Sequence, residues 1–99
     1  MQISETNESL VAVLEGYVKA DNAESISQEL LVRIQPGKKL VLDLSGVKFL
    51  SSAGLRMMLQ LKRASDKAQS PLILSGMKED VKETMEITGF LQHFQCVPD

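Results

Sequence analysis

Residues 40–55 constrain this chain more than any other segment. Leu40-Val41-Leu42-Asp43-Leu44 is a nearly continuous apolar run, the pattern of a central strand covered on both faces. A short loop follows, and Ser51-Ser52-Ala53-Gly54-Leu55 then leads into a helix that runs to about Lys67. The loop therefore delivers two serines to a helix N-terminus. A hydroxyl placed there sits among backbone N–H groups without intrahelical partners. It is also at the positive end of the helix dipole, a place suited to phosphate.

The rest of the chain alternates strand and helix. Leu10 to Leu14 is a five-residue apolar run bounded by Asn7-Glu8-Ser9 and Gly16, and it reads as a strand. Gln2 to Glu5 is placed to pair with it as a first, edge strand. Asp21 and Asn22 are both N-cap residue types, and Glu24 follows Asp21 at capping-box spacing. Ala23, Ile26, Leu30 and Ile34 recur on one helical face until Pro36-Gly37 stops the helix. Pro71 to Ser75 is the next strand, with proline tolerated at its first position. Glu79 and Asp80 open a third helix with Val81, Met85 and Thr88 inward and Gly89 at C′. Phe94 to Val97 adds a short last strand. The order β-β-α-β-α-β-α-β predicts a single α/β domain over residues 1–99. Its sheet is mixed and mostly parallel, with right-handed crossovers and one antiparallel hairpin.

The second helix carries much apolar surface. Ala53, Met57, Leu61, Ala64 and Ala68 form one stripe, and Arg56, Gln60, Arg63 and Lys67 form the wet face. Leu55 and Leu59 fall on a further flank. Either the helix packs on both the sheet and a neighbouring helix, or some of Leu55, Met58 and Leu59 meet a partner.

Composition narrows the function. A length of 99 residues suits one domain, and no apolar run approaches the 18 residues of a membrane span. The start, Met1-Gln2-Ile3-Ser4-Glu5, has neither the basic nor the apolar region of a signal peptide. Cys96 is the one cysteine, so an internal disulfide and a cysteine-based metal site are excluded and a reducing, cytoplasmic setting is expected. A net charge of −2 and only four aromatics argue against nucleic acid as a partner. There is no phosphate-binding glycine loop, and the single histidine, His93, has no sequence sign of a catalytic triad. His93 and Cys96 are expected to pack near the last strand. No enzyme activity and no cofactor are expected. Asp43 at a strand end invites comparison with a phosphoaspartate receiver, but Glu15-Gly16-Tyr17 after the earlier strand lacks the acidic pair that holds Mg²⁺ there.

The segment from Asp43 to Leu55 resembles the signature of the STAS family, the anti-sigma factor antagonists of bacteria. That pattern reads D-L-[ST]-x-[VL]-x-[FY]-[IL]-[DS]-S-[SA]-G-[LI]. This chain supplies Asp43-Leu44-Ser45, Val47, Phe49-Leu50, Ser51, Ser52, Ala53 and Gly54-Leu55 in that order. The resemblance implies a protein-binding switch that is phosphorylated on the serine two residues before the helix glycine, here Ser52. Ser51 stands where much of the family has aspartate, and is either the helix cap or the acceptor. Gly54 either leaves room for a partner or serves close helix packing. Lys19 stands where the family often has an acidic residue, in the loop Gly16 to Asn22 that lies beside the phosphorylated serine. It is either a neutral change or a changed charge pattern toward the partner.

By the same resemblance the partner is a serine kinase of the histidine-kinase-like ATPase fold, often itself the anti-sigma factor. It would bind the unphosphorylated protein through Lys19, Asp21, Asn22, Ser51, Ala53, Gly54, Leu55 and Arg56, and a PP2C-type serine phosphatase would restore that form. A monomer when free, with no direct membrane binding, is expected. Many family members carry one more helix after the last strand, which this sequence lacks, so a face or groove is expected to be uncovered. The alternative that the resemblance allows is a non-phosphorylated STAS adaptor subunit of a membrane transport system.

Overall fold

The apolar run at Leu40–Leu44 is only the middle of a longer strand. In the computed structural model, which describes residues 1–97, the strand extends from Lys39 to Leu50. The elements are β1 (Gln2–Glu5), β2 (Ser9–Val18), α1 (Ala20–Leu31), β3 (Lys39–Leu50), α2 (Ser52–Lys67), β4 (Leu72–Ser75), α3 (Glu79–Ile87) and β5 (Gln95–Val97), with a 3₁₀ turn at Leu91–His93 before the last strand. The sheet order is β1-β2-β3-β4-β5, antiparallel between β1 and β2 and parallel thereafter. The element order and the mixed sheet are as the sequence predicts.

The two central strands are longer than expected. Segments 15–18 and 45–50 read as loops, yet they pair with each other: Glu15 with Gly46, Gly16 with Val47, Tyr17 with Phe49 and Val18 with Leu50. The register shifts twice on the way, between Val13 and Glu15 and between Gly16 and Tyr17. Such bulges hold turn-type residues inside a strand. Gly16 has φ +72, a conformation open to glycine at little cost. Asp43 is therefore not at a strand end. Its Oδ1 accepts from the Ser45 amide at 3.0 Å and from the Ser45 hydroxyl at 2.7 Å.

The expectation that β3 is covered on both faces is also corrected. Each parallel crossover steps in the same direction, and right-handed steps of one direction put every helix on one face of the sheet. Burial alternates accordingly. Leu10, Ala12, Leu14, Leu40, Leu42, Leu44, Leu72 and Leu74 are buried, whereas Val11, Val13, Val41, Asp43 and Ile73 are only half-buried. Met57, Met58 and Leu61 of α2, Val81 and Met85 of α3, and Leu30 of α1 complete the core.

Other boundaries move by a few residues. Helix α1 ends at Leu31, so Ile34 joins the core margin from a turn. Its cap is Lys19, and Asp21 and Asn22 lie inside the first turn. Thr88 is exposed at the end of α3, where its hydroxyl donates to the Thr84 carbonyl at 2.9 Å, and Gly89 follows with φ +80 as a C′ residue should. His93 and Cys96 are exposed rather than packed. Partial burial pushes the Cys96 thiol above its ordinary range, with Lys82 opposing, so it is a poor nucleophile. No helix among the described residues is long and apolar enough to cross a membrane.

Gly54 decides how closely α2 approaches the sheet. A Cβ there would lie 2.8 Å from the Val18 carbonyl oxygen, 3.2 Å from Val18 Cγ1 and 3.3 Å from Leu50 Cδ2. Backbone cannot swing aside as a side chain can. Gly54→Ala should therefore lower stability by about 1–3 kcal/mol despite alanine's better helix propensity. Urea denaturation monitored by circular dichroism measures this; an unchanged or raised midpoint would contradict the close-packing role.

Candidate functional site

The N-terminus of α2 rests on the ends of β2 and β3. The Ser51 amide donates to the Val18 carbonyl at 2.9 Å, tying the turn after β3 to the last residue of β2. Ser51 is extended (φ −79, ψ 175), as an N-cap should be, and its Oγ accepts from the Gly54 amide at 3.2 Å. The Ser51 carbonyl takes the Leu55 amide at 2.9 Å. Ser51 is thus the cap. Ser52 is the first helical residue, exposed, and its hydroxyl makes no hydrogen bond among the described residues. The amides of Ser52 and Ala53 have no protein acceptor among those residues, which leaves two donors at the positive end of the dipole.

Across from it, the start of α1 is held by an unusual cap. Lysine has no acceptor, so Lys19 cannot cap through its side chain. Asn22 serves instead: its Oδ1 accepts from the Lys19 amide at 2.9 Å, and its Nδ2 donates to the Tyr17 carbonyl at 2.9 Å. Asn22 is therefore a brace across the β2–α1 junction. Lys19 is exposed, and Val18 beside it carries the carbonyl that holds Ser51. The expectation of a loop from Gly16 to Asn22 is replaced by a strand end, one capping residue and a helix start.

Of the eight residues expected to meet a partner, Lys19, Asp21 and Arg56 are exposed and Asn22, Ser51 and Ala53 are half-buried. Gly54 and Leu55 are buried and shape the site from within. Met58 is likewise buried, so α2 packs on two sides. The sequence singled out the start of α1 at Lys19, Asp21 and Asn22, but not the residues that follow along its face. Between α1 and α2 lies a groove of about 570 Å³, with Ala20, Ala23 and Ser27 on one side and Ala53, Met57 and Gln60 on the other. Ser27 Oγ donates to Gln60 Oε1 at 3.1 Å across its floor. Glu24, Arg56 and Arg63 line it as well. The small side chains of Ala20, Ala23 and Ala53 leave this groove open between two packed helices.

Comparison with known proteins agrees with this geometry. The family model of the STAS domain matches residues 1–99. A Bordetella bronchiseptica protein, BtrV, provisionally named an anti-sigma factor antagonist, is 40% identical over 86 residues, covering 86% of this chain and 74% of that protein. A Thermotoga maritima structure of the same provisional description superposes with a TM-score of 0.88 at 14% identity, covering 99% of this chain and 85% of that one. The anti-sigma factor antagonist SpoIIAA in its unphosphorylated form gives 0.82 at 19% identity, with 97% and 86% covered. The Bacillus protein SpoIIAA has also been solved phosphorylated, and that form gives 0.73 at 16% identity, with 97% and 89% covered. At these identities the structural likeness is one of fold.

The two serines should separate in a stability measurement. Ser51→Ala removes the cap bond and should cost about 1 kcal/mol. Ser52→Ala removes an exposed, unbonded hydroxyl and should stay within about 0.5 kcal/mol of wild type. Equal losses in urea titrations of the two variants would contradict this division of roles.

Proposed function

The chain belongs to the STAS domain family, and from that membership we propose that it is a phosphorylation-controlled protein-binding switch of the anti-sigma factor antagonist kind. Unphosphorylated, it binds a serine kinase of the histidine-kinase-like ATPase fold that also serves as the anti-sigma factor. Phosphorylation of Ser52 releases it, and a PP2C-type serine phosphatase resets it, all within the cytoplasm. The observation that carries this reading is the division of labour between the serines. Ser51 caps α2, so Ser52 can be modified without uncapping the helix.

The physics of the switch is local. A phosphate on Ser52 adds about 1.5–2 negative charges. The free protein accommodates them, because the dianion faces the unpaired amides of the first turn and the dipole. The ionic groups nearest in sequence, Lys48 and Arg56, are both cations. Within a desolvated interface the same dianion meets the partner's groups instead, and each penalty of about 1.4 kcal/mol weakens binding tenfold. Phosphorylation therefore changes affinity while leaving the fold intact.

Incubation with cognate kinase and ATP should add one phosphate, on Ser52, by phosphopeptide mass spectrometry. Ser52→Ala should bind the kinase persistently and Ser52→Glu weakly; equal affinity of the two refutes the switch. Protein that gains no phosphate in its own cells yet binds an ATPase subunit of a membrane transport system would be an adaptor instead.

Lys19 offers a separate check. Aspartate is a favourable N-cap and lysine is not, so Lys19→Asp should raise stability by about 0.5–1 kcal/mol. It should nonetheless slow association with the kinase, through lost attraction to an acidic residue on the partner, with the loss shrinking at high salt. Surface plasmon resonance at low and high ionic strength reads both rates, and an unchanged on-rate would make Lys19 a bystander.

A further inference from the structure

We propose that Tyr17 and Phe49 form an apolar anchor for the same kinase whose binding Ser52 controls; this rests on the Ser52 reading above. The chain has only four aromatic residues. Phe94 is buried and Phe90 half-buried, but Tyr17 is 58% exposed and Phe49 is 48% exposed. These two are partners across β2 and β3, with ring centroids 6.1 Å apart and planes inclined at 42°.

Cross-strand aromatic contact alone explains some of this, since such pairs stabilise strand ends. It does not explain their placement. Beyond Asp43 the register shifts twice before the pair is reached, and bulges of this kind re-aim side chains and cluster beside functional sites. The carbonyl of Tyr17 is held by Asn22, and that of its neighbour Val18 by Ser51, the residue before the switch serine. Phe49 lies three residues before Ser52 on the same continuous backbone. The aromatic pair and the serine are thus fixed relative to one another.

The helices occupy one face of the sheet, and both rings lie on the other. Ser52 stands at the rim between this pair and the α1–α2 groove. A partner that covers the rim reaches both, as an interface of typical size, roughly 800 Å² per side, requires. The surrounding charge states what kind of surface fits. Lys19 and Lys48 flank the pair, both exposed and neither in an ion pair among the described residues, with Glu15 the nearest acid in sequence. The complement is an apolar recess rimmed by carboxylates. Exposed aromatics that fill such recesses dominate many interfaces. In this arrangement the rings supply attraction and the serine supplies the veto.

The test places a photo-crosslinking benzoylphenylalanine at position 17, 49 or, within the groove, 56 of the full chain in its own cells. The products are identified by mass spectrometry. Positions 17 and 49 should capture a polypeptide of the histidine-kinase-like ATPase fold, and the yield should collapse in a Ser52→Glu background. Capture of that kinase from position 56 alone overturns the anchor while the Ser52 reading stands. Its capture from none of the three overturns both. Capture of a second copy of this chain from 17 or 49 makes the pair a self-association surface and also overturns the proposal. With the kinase purified, Phe49→Ser should raise Kd at least tenfold, and Val32→Ser, at an exposed apolar residue remote from the rim, should leave it unchanged. Phe49→Leu, which keeps apolar bulk, serves if the serine variant does not fold, and there a Kd equal to wild type refutes the aromatic role.

Discussion

The carbonyl of Val18 holds the working end of this molecule together. It ends β2, accepts the Ser51 amide and lies under the bare Cα of Gly54. That contact fixes where the N-terminus of α2 sits on the sheet, and Met57, Met58 and Leu61 seat the rest of the helix. Its geometry depends in turn on the paired extension of β2 and β3 past their apolar middles. Two bulges bring Val18 beside Leu50, and both side chains turn inward into the core. A small error in either strand would reach the serine undamped, since only Ser51 separates the sheet from the helix.

This arrangement separates the residues that hold the fold from the hydroxyl offered at the surface. Ser51 closes the helix, Gly54 and Leu55 fill the space beneath it, and Asn22 braces the neighbouring junction. Each stabilises the site without offering chemistry at the surface. Ser52 offers a hydroxyl at the surface without stabilising anything. A modification at Ser51 would remove the cap bond, whereas one at Ser52 would leave it in place. Lysine stands at the cap of α1, where aspartate is intrinsically better, so the exposed Lys19 side chain contributes no cap bond.

Much was legible in the sequence because it depended on local pattern. Apolar runs gave the strand order, the three-four spacing of apolar residues gave the helices, and the Ser-Ser-Ala-Gly junction marked the site. Three features were not legible. Glu15-Gly16 and Ser45-Gly46 look like turns, and only each other's presence makes them strand. Half-buried and buried valines read alike in a sequence, so the pattern of β3 suggests cover on both faces. Residue type points to Asp21 or Asn22 as the cap of α1, whereas Asn22 works from inside the helix on Lys19.

The sequence by itself determined which segments become strand or helix and which hydroxyls reach the start of α2, since both follow from periodicity and residue type along a few turns of chain. The tertiary structure alone decided that Ser51 and not Ser52 is bonded, that Gly54 faces backbone rather than solvent, and that Tyr17 meets Phe49. Each of these depends on residues more than thirty positions apart, or on the exact seat of a helix. Contacts at that separation are set by the one-sided winding of the sheet and its bulged register, which no local pattern encodes.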